Sequence, residues 1–210
     1  RQRQMCIRDR HFDSFAAMYY EELEKLYGKA KYYSMDPFHE GGNTEGVDLA
    51  KAGTSIMGAM KKANPEAVWV MQAWQANPRE AMVNTLDSGD LLVLDLYSEK
   101  LPQWGDPESM WYREKGFGKH DWLYCMLLNF GGNVGLHGRM EQLVNGYYNA
   151  CAHINGKTLR GVGATPEGIE NNPMMFELLY ELPWREERFS PDIWLQGYLK
   201  ARYGGELSPE

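Results

Sequence analysis

Thr158-Leu-Arg-Gly-Val-Gly-Ala164 runs directly into Thr165-Pro-Glu-Gly-Ile-Glu-Asn-Asn172, and then into Met174-Met-Phe-Glu-Leu-Leu-Tyr-Glu-Leu182. The first segment reads as a strand. The second is built of Pro, Gly and Asn, the residues that fix turns. The third carries apolar residues at helical spacing. Strand, turn and helix in that order make a βα junction. Glu167 falls past the strand and before the helix. Barrels of alternating strands and helices place their reacting groups at that edge.

The same unit recurs toward the N-terminus. Residues 11–27 are predicted helical, with Phe12, Phe15, Ala16, Tyr19, Leu23 and Leu26 at three- and four-residue steps and Gly28 as the stop. Lys31-Tyr-Tyr-Ser-Met35 is a short strand ended by Asp36-Pro37. Thr44 and Glu45 open a predicted helix that Asn64-Pro65 breaks. Ala67-Val-Trp-Val-Met-Gln-Ala73 is apolar almost throughout, as strands covered on both faces are. Asn77-Pro78 reads as the cap and first position of a helix reaching about Leu86. Residues 90–96 and 121–128 are the third and fourth strands, separated by an irregular Pro- and Gly-bearing segment. A helix over 138–154 leads through Asn155-Gly156 into the fifth strand, 157–164. Ser190-Pro191-Asp192 caps a last helix over 190–203.

This alternation predicts an α/β protein with about five parallel strands and right-handed crossovers. Two architectures satisfy it, a doubly wound open sheet and the C-terminal portion of a (β/α)8 barrel. The two closing helices read as the entry to an all-α domain. The expected division is a non-native leader over 1–10, a partial catalytic barrel over 11–185 and the start of a helical domain over 186–210. The leader, Arg-Gln-Arg-Gln-Met-Cys-Ile-Arg-Asp-Arg, has no apolar h-region and resembles a translated sequencing-adapter artefact.

Composition narrows the function. Among 210 residues, 43% are hydrophobic and 24% charged, as in ordinary globular proteins. A net charge of -7 argues against nucleic acid as partner. Three cysteines, Cys6, Cys125 and Cys151, are too few for a disulfide framework, and the histidines are too dispersed for a metal site. No apolar run approaches the roughly 20 residues that span a bilayer. Gly131-Gly-Asn-Val-Gly135 lacks the spacing of a dinucleotide-binding loop, which weakens a nucleotide-binding reading.

The chemistry-bearing residues gather at predicted strand ends: Asp36 and Glu40, Gln72 and Trp74, Asp95 and Tyr97, Asn129, and Glu167. Two carboxylates at two strand ends are the minimum apparatus for cutting a glycosidic bond. Each is equally readable as a solvated loop residue. Trp74 reads as core or as a platform for a sugar ring, and Asp95 leans toward tying loops together. The 13% aromatic share, with seven Trp, fits sugar stacking or a rich core.

Five segments in series carry a likeness: Asp36-Pro-Phe-His-Glu40-Gly-Gly, Ala67-Val-Trp-Val-Met-Gln-Ala-Trp74, Leu91-Leu-Val-Leu-Asp-Leu96, Cys125-Met-Leu-Leu-Asn-Phe-Gly-Gly-Asn133 and Pro166-Glu-Gly-Ile-Glu-Asn-Asn172. In their order and spacing the chain resembles the alpha-N-acetylglucosaminidases of glycoside hydrolase family 89, over roughly residues 11–205. The resemblance implies a (β/α)8 barrel followed by a helical domain. It implies retaining exo-hydrolysis of terminal alpha-linked N-acetylglucosamine, with no metal or organic cofactor. Glu40 would be general acid/base and Glu167 nucleophile, with Trp74, Asn129 and Phe130 against the substrate. The partner would be a glycan ending in alpha-GlcNAc. The setting would be secreted, periplasmic or lysosomal, with a homo-oligomer of the intact protein left open. The family's first strands have no counterpart here, so the piece is expected to be inactive or barely active alone. A non-catalytic carbohydrate-binding relic of the same fold is the alternative.

Overall fold

The computed structural model describes residues 11–41, 43–130, 137–168 and 171–205. The leader over 1–10, the glycine-rich run over 131–135, and Ile169 and Glu170 lie outside the described residues. The elements are α1 (Phe12–Tyr27), β1 (Tyr32–Ser34), α2 (Leu49–Ala63), β2 (Val68–Ala73), α3 (Glu80–Val83), β3 (Leu91–Asp95), β4 (Asp121–Met126), α4 (Met140–Ala152), β5 (Leu159–Ala164), α5 (Pro173–Glu181) and α6 (Pro191–Tyr203).

The five strands form one parallel sheet in the order β1-β2-β3-β4-β5. Tyr32 pairs with Val68 and Ser34 with Val70. Parallel neighbours need a crossover between each pair. Here α2, α3, the 96–120 loop and α4 lie between successive strands in the chain. A doubly wound sheet reverses strand order at a switch point. This order never reverses, so each strand neighbours the next, as in a barrel.

Several boundaries differ from the sequence reading. Thr44 and Glu45 are not in a helix. Val47 N–H donates to Thr44 C=O across 3.0 Å, and α2 starts at Leu49, where Asp48 Oδ1 accepts the Lys51 N–H. Asn77 is not a helix cap. Its Nδ2 donates to Asp36 Oδ1 at 2.9 Å and to Gln72 C=O, and α3 is a single turn starting at Glu80. A tertiary demand on that side chain outweighs its capping preference. A 3-10 turn, Ile154–Thr158, precedes β5. Ser190 occupies the cap position of α6 but makes no side-chain cap bond there. Asn172 does cap α5, accepting the Met174 N–H at 3.2 Å before Pro173 opens the helix.

The chain divides into two units. The first comprises the described residues up to Leu94 with Phe117–Trp122; the second comprises Asp95–Gly116 and the described residues from Leu123 onward. In the first, α2 buries Ala52, Gly53, Ile56, Met57, Ala59 and Met60, a stripe at helical period. Helix α2 neighbours α3 and α1, with Gly53 of the stripe against Met82 of α3, and β2 alternates buried Trp69, Met71 and Ala73 with half-buried Val68, Val70 and Gln72. Trp69 Nε1 donates to Met35 C=O at 2.8 Å. Helix α1 buries none of its residues, and Phe15, Met18, Tyr19, Leu26 and Tyr27 stay exposed.

In the second unit, Tyr124 is fully buried between Trp104 and Tyr147, ring centroids 6.4 and 6.0 Å away. Gly146 of α4 faces its hydroxyl so closely that any Cβ there would collide with it. Helix α6 stacks Trp194 on Tyr198, and Trp194 Nε1 donates to Glu181 of α5 at 2.5 Å.

Candidate active site

In the first unit, β1 ends at Ser34 and the chain turns through Asp36-Pro37. Asp36 Oδ1 accepts the Gln72 N–H at 2.8 Å and Asn77 Nδ2 at 2.9 Å, which ties the end of β1 to the end of β2. Burial raises the Asp36 pKa, and the two hydrogen bonds oppose that shift. Asp36 is therefore a structural tie. Phe38 is buried, and His39–Gly41 form a 3-10 turn whose middle residue is the exposed Glu40 at φ 52, ψ 37. Past β2, Trp74 is 8% exposed and exchanges backbone hydrogen bonds with Asn77 around Gln75, at φ 52.

In the second unit, Asp95 closes β3 and is 1% exposed. Ser98 Oγ donates to its Oδ2 at 2.8 Å, and burial pushes its pKa up to about 7. It ties the loop after β3, the role toward which the sequence reading leaned. Glu99 was not among the sequence candidates. It is 6% exposed and accepts backbone N–H bonds from Leu127, at 3.1 and 3.3 Å, and from Leu128, at 2.9 Å. Burial also pushes this carboxyl up to about 7, against those N–H bonds. Its only sequence signal was a position three residues past the end of an apolar predicted strand.

Leu128 sits at φ 62, and Asn129 N–H donates back to Leu127 C=O at 2.8 Å. Asn129 is buried, and its Oδ1 accepts the backbone N–H of Glu167 at 2.9 Å. Its Nδ2 meets no hydrogen-bond partner among the described residues. Two residues before Glu167, Thr165 N–H donates to Met126 C=O at 3.0 Å. The segment that carries Glu167 is thus held on both sides of Pro166, while Glu167 itself is exposed. Phe130 is 44% exposed, its ring 5.7 Å from that of Tyr97. Burial raises the Tyr97 pKa; the Glu99 and Glu167 carboxylates add to the rise and Arg139 opposes it.

Of the sequence candidates, Glu40 and Trp74 belong to the first unit; Asn129, Phe130 and Glu167 belong to the second, where the Asn129 side chain meets the Glu167 backbone. The non-glycine residues with positive φ among those described, Glu40, Gln75 and Leu128, each follow the end of a strand. Backbone held in that region costs energy, and such strain clusters where side chains are aimed for function.

A family model described as the alpha-N-acetylglucosaminidase (NAGLU) tim-barrel domain matches residues 1–186. Human alpha-N-acetylglucosaminidase is 34% identical over 206 residues, covering 92% of this chain and 26% of that protein. A family 89 glycoside hydrolase from Clostridium perfringens in complex with PUGNAc superposes with a TM-score of 0.82 at 33% identity, over 95% of this chain and 22% of the other. The same enzyme, with two glutamates replaced by glutamine and in complex with its substrate GlcNAc-alpha-1,4-galactose, gives a TM-score of 0.83 at 32% identity, over 96% and 22%. The chain therefore spans about a quarter of the length of these relatives. The strand order, the turns after the strands and the match over residues 1–186 place the chain in the alpha-N-acetylglucosaminidase family.

Proposed function

We propose that this chain contributes both catalytic carboxyls of a retaining exo-glycosidase that removes terminal alpha-linked N-acetylglucosamine from glycans. Glu40 is the general acid/base and Glu167 the nucleophile. The observation that carries the reading is the fixed backbone of an exposed glutamate: Glu167, held through its N–H by the buried Asn129 side chain. A nucleophile must keep its place while its carboxylate reaches the reacting carbon. Two relatives' properties support the reading: the human protein's name, and the bacterial enzyme's glutamate-to-glutamine variant bound to an alpha-linked GlcNAc substrate.

The steps follow from two carboxyls in different protonation states. Glu40 gives its proton to the glycosidic oxygen as the C–O bond breaks. The Glu167 carboxylate forms a bond to the anomeric carbon. Water, losing its proton to Glu40, then displaces Glu167 and restores both groups. The anomeric carbon inverts twice, so the alpha configuration is retained. Trp74 and Phe130 offer aromatic faces to the sugar, and Asn129 Nδ2 offers a donor. On this reading residues 11–185 belong to the barrel and 186–210 open the helical region.

The test uses the protein from the complete reading frame, beside the 210-residue chain. Turnover of an aryl alpha-N-acetylglucosaminide, none of the beta anomer, an alpha-configured first product and loss of turnover in Glu167→Ala are expected. The chain alone is expected to be inactive or nearly so. A folded complete protein that binds the sugar without turnover would move the carbohydrate-binding reading to the front.

A further inference from the structure

We propose that Glu99 is a positioning residue for this site: its buried carboxylate grips the backbone of Leu127 and Leu128 and so sets Asn129 against the backbone of Glu167. The proposal rests on the reading of Glu167 as nucleophile.

Past Met126 the chain leaves β4, so the N–H groups of Leu127 and Leu128 are no longer in the strand. A buried N–H without a partner is costly. Glu99 supplies the partner for both, with Oε1 accepting from Leu127 at 3.1 Å and Leu128 at 2.9 Å. These bonds fall on a strained turn. Leu128, a bulky buried residue, sits at φ 62, and Asn129 N–H closes the three-residue turn on Leu127 C=O at 2.8 Å. Left-handed turns of this kind are rare away from glycine. They persist only where surrounding contacts over-determine them. Asn129 follows at once, and its Oδ1 takes the Glu167 N–H at 2.9 Å.

The choice of a carboxylate is informative. Burying an ionised carboxylate without a cation is expensive, and burial accordingly raises the Glu99 pKa. Among the described residues no cation pairs with Glu99; its partners are peptide N–H groups, and the other acid near it is Asp95. A group kept at that cost, between the strand end and the turn before Asn129, is explained by the grip it provides. With its carboxyl engaged on the Leu127 and Leu128 N–H groups, Glu99 acts through Asn129 and not on the substrate.

The experiment compares Glu99→Ala, Glu99→Asp, Glu99→Gln and Glu167→Ala in the protein from the complete reading frame. It reads kcat and KM on the aryl glycoside, and hydrogen exchange of the Glu167 amide. Glu99→Ala is expected to speed Glu167 amide exchange at least tenfold. It is also expected to lower kcat by about ten- to a hundredfold with KM within about threefold, as for a small misplacement of a reacting group. Glu99→Gln keeps the Oε1 acceptor and is expected to restore kcat to within about threefold. If Glu99→Ala does not fold, Glu99→Asp, one methylene too short for the grip, carries the same comparison. Unchanged Glu167 exchange in a folded Glu99→Ala protein overturns the proposal, as does a Glu99→Gln loss equal to that of Glu99→Ala. Faster exchange combined with an active Glu167→Ala would overturn the nucleophile reading and leave the positioning of the 167 backbone standing.

Discussion

The backbone N–H of Glu167 points at the side-chain oxygen of Asn129, 2.9 Å away, across 38 residues of sequence. Asn129→Ala leaves that donor without its buried acceptor. The expected result is a kcat lower by about ten- to a hundredfold and a stability loss of about 1–3 kcal/mol. Steady-state kinetics and chemical denaturation on the same preparation check both. A kcat within twofold of the parent would show that Glu167 is held by other means.

Glu40 occupies a left-handed backbone position, φ 52, that glycine adopts without a steric cost. Glu40→Gly should therefore leave the melting temperature unchanged, or stabilise by up to about 1 kcal/mol, while hydrolysis is lost. A clear drop in melting temperature would mean the side chain holds the turn. Glu40→Gln should separate substrates by leaving group. An aryl glycoside with an acidic leaving group needs little protonation and should lose far less rate than an alkyl glycoside or disaccharide. Equal losses on both would argue against an acid role.

The pH dependence of stability has a defined sign. Burial is the main cause raising Glu99 from 4.5 to about 7 and Asp95 from 3.8 to about 7, with hydrogen bonds opposing in each case. Both carboxyls hold a proton more tightly in the folded chain than in the unfolded one. Their contribution is full below the unfolded values and is lost as pH rises through about 7. Each pKa unit is worth about 1.4 kcal/mol. The melting temperature should fall between about pH 4.5 and 7.5 by a clearly smaller amount in Glu99→Gln than in the parent. Identical slopes would mean Glu99 does not titrate in that window.

Gly53 lies on the buried stripe of α2, where a Cβ would run into the backbone carbonyl of Met82 at α3. Backbone cannot rotate aside as a side chain can. Gly53→Ala should destabilise by about 1–3 kcal/mol despite alanine's better helix propensity, and Gly58→Ala, with open space at its Cβ, should not. Urea midpoints of the two variants make the comparison. Equal midpoints would show that α2 and α3 can shift apart.

Sequence alone was enough for the alternation of strands and helices. The βα junctions at Asp36-Pro37 and Thr165-Pro166 are written in Pro, Gly and Asn, whose backbone preferences act locally, and the stripe of α2 is written in the 3.6-residue period of its apolar side chains. The turns that carry Glu40 and Glu167 were legible for the same reason, because their neighbours fix the backbone locally. Strand order was not legible: an alternating pattern fits either an open or a closed sheet, and only pairing between distant segments chooses. Nor was the use of Asn77, whose local preference for capping a helix lost to Asp36, 41 residues earlier. Glu99 looked like one more loop carboxylate, since its value comes from Leu127 and Leu128, 28 and 29 residues away. Local preference is settled by a residue and its near neighbours. Burial and the partner of a polar group are settled by segments that meet only when the chain folds, as Asn129 and the Glu167 backbone do.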